Sequence, residues 1–301
     1  MDKIPVHFNG ITYSINDQKD TIGFNIPFTK AGNLIVVKAK VDSVQGNFII
    51  DSGNPGLVLN QTYFRNYKTI TDTESGGESN GINGTVSNVE QIIISEFVFG
   101  KLFENQLKAD LLPLGHIENA RKLKIIGLIG IKFFSNCEVI FDFENSTLQF
   151  TIINKKFSKN YKNKLIGDTN IVKILPFTIT DNRLIVQASI ANKKLKFIID
   201  CAAETNILHS KLPNIIFDKL NVLGKTLLTG IGSNKIEAIQ GEIEDLTIGN
   251  KKLSNLPFIV TNLEKTCFSY LGCVDGVLGF DFLSLQKIGF NFTNNQMYIW
   301  Q

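Results

Sequence analysis

Two stretches decide the fold: Phe48-Ile49-Ile50-Asp51-Ser52-Gly53 and Phe197-Ile198-Ile199-Asp200-Cys201-Ala202. Each is an apolar run that delivers one carboxylate into a turn of small residues. The tripeptide before the aspartate is the same in both. The aspartates are 200 − 51 = 149 positions apart in a chain of 301 residues. A spacing of half the chain predicts a duplicated unit with one aspartate per copy.

The same offset works outward from both aspartates. Ile26-Pro27-Phe28-Thr29 corresponds to Leu175-Pro176-Phe177-Thr178, Val37 to Val186 and Ala39 to Ala188. Leu34–Val41 and Leu184–Ile190 are rich in β-branched residues with partial alternation, which predicts strands. Phe97-Val98-Phe99-Gly100 corresponds to Leu246-Thr247-Ile248-Gly249, and Gly127-Leu128-Ile129-Gly130 to Gly276-Val277-Leu278-Gly279. Phe141, Phe143 and Asn145 correspond to Phe290, Phe292 and Asn294. No gap is needed from residue 27 to residue 145. The expectation is an all-β chain of two homologous lobes related by a pseudo-two-fold axis, with few short helices. Short helices are expected near Gly115–Lys124 and Leu212–Leu220. The expected division is a strand extension at 1–22, a first lobe at 23–150, a linker at 151–171 and a second lobe at 172–301.

Composition narrows the functional classes. Hydrophobic residues at 43% supply a core, and charged residues at 20% with a net charge of +3 argue against disorder and against a dedicated nucleic-acid binder. The densest basic run, Lys155 to Lys164, reads as a solvated linker. No apolar run reaches the ~20 residues that span a bilayer. Met1-Asp2-Lys3-Ile4-Pro5 does not open an export signal. The compartment stays open between a cytoplasmic protein and an exported mature form. Cys137, Cys201, Cys267 and Cys273 form no C-x-x-C pair, and His7, His116 and His209 have no ligand spacing, so no metal or other cofactor is expected. Cys267 and Cys273 are close enough to bridge in an oxidising compartment; without an export signal, free thiols are expected. His209 is a candidate base for Cys201 or Ser52, although a surface or half-buried role is expected.

An aspartate at the end of an apolar strand is costly unless it is hydrogen-bonded, and a small-residue turn lets backbone N–H groups reach it. Two such carboxylates meeting at a two-fold axis share a proton. The ionised one serves as general base on water, and the protonated one polarises an amide carbonyl. On these residues the chain resembles the retropepsin-like group of aspartic proteases found in bacteria, in a single-chain, two-lobe form. Asp51-Ser52-Gly53 fits that family's signature triplet. Gly230-Ile231-Gly232-Ser233 resembles its flap tip, with Gly81-Ile82-Asn83-Gly84 as a looser copy. Ile125-Ile126-Gly127 and Val274-Asp275-Gly276 resemble the segment behind the catalytic loop.

The resemblance implies catalysis by Asp51 and Asp200, with Ser52, Gly53, Cys201 and Ala202 supporting the loops. It implies flaps carrying Gly81, Ile82, Gly230, Ile231 and Gly232 over an extended peptide. Both lobes lie in one chain, so a monomer is expected. The second copy departs from the pattern. Cys201 offers a thiol where the family's hydroxyl ties the loops together, so Ser52 is expected to supply only one side of that exchange. Ala202 adds a Cβ that would strain a turn of positive φ. Asp275 stands where an apolar residue is expected. Three readings follow: an aspartic endopeptidase, an inactive pseudo-protease that binds peptides, or a structural two-lobe protein whose aspartates only cap turns.

Overall fold

The computed structural model describes residues 4–8, 11–15, 21–70, 77–81, 84–153, 171–229, 235–264 and 273–300. The basic run at 155–164 lies outside them. Strands dominate, in an 11-stranded, a ten-stranded and a six-stranded sheet. The first two sheets form the two lobes and share one plan. In the first lobe, Leu34–Val41 pairs antiparallel with Val44–Asp51. Ile125–Gly130 then runs parallel to Val44–Asp51 and antiparallel to Leu57–Asn60. In the second lobe, Arg183–Ile190 pairs with Lys193–Ile199. Gly276–Leu278 runs parallel to Lys193–Ile199 and antiparallel to Asn206–His209.

Both inserted strands carry glycine at the tightest approach. A Cβ at Gly127 would lie 2.2 Å from the Val58 carbonyl oxygen, and one at Gly276 would lie 2.3 Å from that of Ile207. Asp275 has a local task beside this strand. Its carboxylate accepts the Lys196 N–H at 2.7 Å, and its own N–H donates to the Lys196 carbonyl. It pins the strand that leads to Asp200.

The six-stranded sheet joins the lobes, with Thr21–Pro27, Thr147–Ile153 and Cys137–Asp142 on one side and Ile288–Asn291, Gln296–Trp300 and Ile171–Pro176 on the other. At its centre Val139 pairs with Phe290 and Phe141 with Ile288. With the offset of 149, these two pairs exchange under a half-turn, so the pseudo-axis passes between Ile140 and Gly289. Phenylalanines close the seam: Phe141 against Phe290, Phe134 against Phe292 and Phe143 against Phe280, all with centroids within about 6 Å. One continuous apolar core runs through both lobes.

Ile4–Phe8 and Ile11–Ile15 form a hairpin that adds to the edge of the first lobe's sheet at Leu102 and Phe103. The expected short helices are Gly115–Arg121 and Asn214–Phe217. Cys137 and Cys201 are free and buried, whereas Cys273 is disulfide-bonded. This corrects the expectation of a free thiol at Cys273. A disulfide depends on the chain bringing two sulfurs together, which the opening residues do not reveal.

Candidate active site

Each aspartate is placed by the strand before it. Phe48, Ile49 and Ile50 are buried, as are Phe197, Ile198 and Ile199. The strand ends are fixed from behind: Asp51 pairs with Gly130, and the Asp200 N–H donates to the Leu278 carbonyl. The turns then fold back on their carboxylates. The Gly53 N–H donates to Asp51 Oδ1 and the Ala202 N–H to Asp200 Oδ1, both at 2.9 Å. Among the described residues the positive-φ glycines are Gly32, Gly100 and Gly249, and Ala202 has no positive φ. The turn conformation therefore sets no demand for glycine at 53 or 202.

The demand at 53 comes from across the axis. A Cβ there would lie 2.5 Å from Asp200 Oδ2. The Asp200 carboxylate rests on the Gly53 backbone, whose N–H already holds Asp51. The Ala202 methyl instead packs beside the first lobe's second apolar cluster, which includes Leu34 and Val36.

The loops exchange hydrogen bonds in both directions. Ser52 Oγ donates to the Ile199 carbonyl at 2.9 Å and accepts the Cys201 N–H at 3.0 Å. Cys201 Sγ donates to the Ile50 carbonyl at 3.4 Å and accepts the Ser52 N–H at 3.2 Å. Ser52 supplies one side of the exchange, as expected, and the Cys201 thiol supplies the other. Burial pushes the Cys201 thiol up to about 12, so it keeps its proton and acts in the role of a hydroxyl. Sulfur's larger radius lets it span the slightly longer contacts.

Electrostatics couple the two acids. Asp51 is raised above the ordinary carboxylate range, first by burial and next by the Asp200 charge. Asp200 is also raised by burial, against the N–H groups of Ala202, Ala203 and Gly53 and the charge of Arg183. Arg183 pulls both acids down. Both shifts favour the neutral form of each acid, and the same guanidinium opposes them.

The sequence reading missed two contributors. Arg183 begins its strand where the offset places Leu34 in the first copy; a charge facing a leucine was the available signal. Arg121, at the end of the helix Gly115–Arg121, forms an ion pair with Glu204, just past the second loop. Asn33 donates to the Glu204 carbonyl at 2.8 Å and, through its own N–H, to Glu204 Oε2 at 3.3 Å. Glu204 corresponds to Pro55, so its charge was visible as an asymmetry, but its partner was not.

The remaining candidates divide. Gly81 ends the strand Gly77–Gly81 and pairs with Gly84. Ile82, Gly230, Ile231 and Gly232 lie outside the described residues, although the hairpin Leu220–Thr229/Lys235–Ile243 that leads to the last three is described. His209 is buried, and its Nδ1 accepts the Leu263 N–H at 3.1 Å. Its role there is structural. Among the described residues no cluster of three or more His, Cys, Asp or Glu could hold a metal. No helix among them is long and apolar enough to cross a membrane.

Residues 186–282 match the family model for aspartyl proteases. The match takes in Asp200 and the Gly276–Leu278 strand behind it, and it supports an aspartic protease family. No curated protein matches the chain.

Proposed function

We propose that the protein is an aspartic endopeptidase in which Asp51 and Asp200 hydrolyse a peptide bond of an extended substrate. The observation that carries this reading is the two-way exchange between Ser52 and Cys201, which holds a buried and a half-buried carboxylate against one glycine N–H. A structural turn-cap would not need a second, coupled acid.

The chemistry follows from the shared proton. The ionised carboxylate takes a proton from a water held between the pair, and the water oxygen attacks the amide carbon. The protonated carboxyl donates to the carbonyl oxygen, which becomes the second hydroxyl of a tetrahedral diol. Collapse breaks the C–N bond as the proton gained from water passes to the leaving nitrogen and one diol hydroxyl returns its proton to the carboxylate that had served as acid. A substrate strand could pair its backbone with the two glycine-bearing hairpins.

The test is incubation with a diverse peptide library between about pH 3 and 7, a range bracketing the split titration of such a pair, with cleavage read by mass spectrometry. Cleavage that is lost in Asp51→Asn and in Asp200→Asn, and blocked by a statine, supports the reading. An intact library throughout that range overturns it, and peptide binding without cleavage would instead support the inactive binding module.

A further inference from the structure

The two aspartate loops have unlike neighbours from the opposite lobe. Leu34 and Arg183 each open a strand after a tight turn, in the hairpins Thr29–Ala31/Leu34–Val41 and Thr178–Thr180/Arg183–Ile190. In the first lobe this turn reaches across the axis. Asn33 donates to the Glu204 carbonyl, and Leu34 belongs to the apolar cluster on which Ala202 packs. Leu34 therefore stands beside the second loop. The half-turn that exchanges the lobes carries Leu34 onto Arg183, Ala202 onto Gly53 and Ala203 onto Asn54. It places Arg183 beside the first loop, at Gly53 and Asn54. The reach of its charge to both acids fits that place.

The two ends differ in hydrogen-bonding chemistry. At the Leu34 end, Leu34 is buried with Val36 and Val58, and Ala203 is buried with Ile198 and Ile207. Neither side chain can donate. The charges there, Arg121 and Glu204, are paired with each other. At the other end Arg183 brings a guanidinium with several N–H donors. Asn54 adds an amide Nδ2 that is buried and has no hydrogen-bond partner. Pro55 takes the place of Glu204, so the loop supplies no second carboxylate after Asp51. Asp181, on the turn before Arg183, is exposed, whereas Arg183 and Asn54 are half-buried. A buried amide without a partner costs free energy that an incoming acceptor recovers. A carboxylate is the acceptor that suits a guanidinium and an amide together.

We propose that Arg183 and Asn54 form a subsite for an acidic side chain of the substrate, while the Leu34 end takes an apolar one. This rests on the protease reading and names its substrate class: extended peptides with Asp or Glu on one side of the scissile bond and an apolar residue on the other. Arg183 and Asn54 select the substrate and exchange no proton with the attacking water.

Cleavage sites in a diverse peptide library, read at about pH 5.5 where a glutamate side chain is ionised, give the first test. Asp and Glu are expected to be enriched on one side of the cut and apolar residues on the other. Synthetic peptides that differ only as Glu, Gln or Lys at the enriched position give the second. The full chain is expected to favour Glu over Gln by about tenfold in kcat/KM, mainly through KM. Arg183→Leu is expected to cut the two alike, Arg183→Glu to favour Lys, and Asn54→Ala to narrow the Glu/Gln ratio. Each ratio is taken within one variant, so a general loss of activity or stability cancels. Cleavage without acidic enrichment, or a Glu/Gln ratio unchanged in Arg183→Leu, overturns this inference and leaves the protease reading standing. An intact library overturns both.

Discussion

The loops 51–54 and 200–203 do the same work under different constraints. At Gly53 only a hydrogen fits, because the opposite carboxylate sits on the backbone. At Ala202 a methyl group is accepted and packs against the other lobe. Ser52 and Cys201 likewise exchange equivalent bonds with different atoms. A small-residue turn is therefore specified by what crosses the axis onto it rather than by its own dihedral angles.

The hardest way to break this comparison is to remove one acid. Asp51→Asn and Asp200→Asn are each expected to cut turnover at least about a thousandfold, as befits loss of a general acid or base. Each should also raise the thermal midpoint at pH 7, measured by calorimetry. The sign follows from the raised values of both acids. A carboxyl whose folded pKa is raised favours the fold most below its unfolded pKa, and that contribution is lost as pH rises toward the folded value. A neutral amide removes the cost.

Next comes a reciprocal swap. Gly53→Ala should destabilise by about 1–3 kcal/mol through overpacking and suppress cleavage, while Ala202→Gly should cost less than about 1 kcal/mol. Equal effects in denaturant titrations would show that the loops are equivalent after all. The exchange itself can be cut from either side. Cys201→Ala and Ser52→Ala should each cost about 1–3 kcal/mol, by leaving a buried carbonyl and N–H unpaired. Cys201→Ser should retain both stability and activity. The smallest effect is electrostatic. Arg183→Leu, which copies the first lobe's Leu34, should move the alkaline limb of the pH–rate profile upward by about half a unit, because the arginine lowers both acids.

Much of the fold was legible because strand pattern and glycine spacing are local and repeat without a gap. The Phe-Ile-Ile runs, the turns after them and the recurrence of Gly127 at Gly276 could be read directly. The reciprocal role of Cys201 could not. It depends on the distance between loops 149 residues apart, and on burial that keeps the thiol protonated. Arg121 and Glu204 posed the same problem: each looks like an ordinary surface charge until the lobes are docked. Asp275 looked like a departure from pattern because its partner, the Lys196 backbone, lies on another strand.

The half-turn through Ile140 and Gly289 has a consequence for how such a site can change. In a two-chain assembly with this axis, any codon change would be expressed on both sides at once. An alanine at the third loop position would then put a methyl group under both acids, including at the place where only hydrogen fits. With both halves in one chain, each side can be altered alone. The methyl at 202, the sulfur at 201 and the guanidinium at 183 are all one-sided changes of this kind, open to the chain because its symmetry is structural and not genetic.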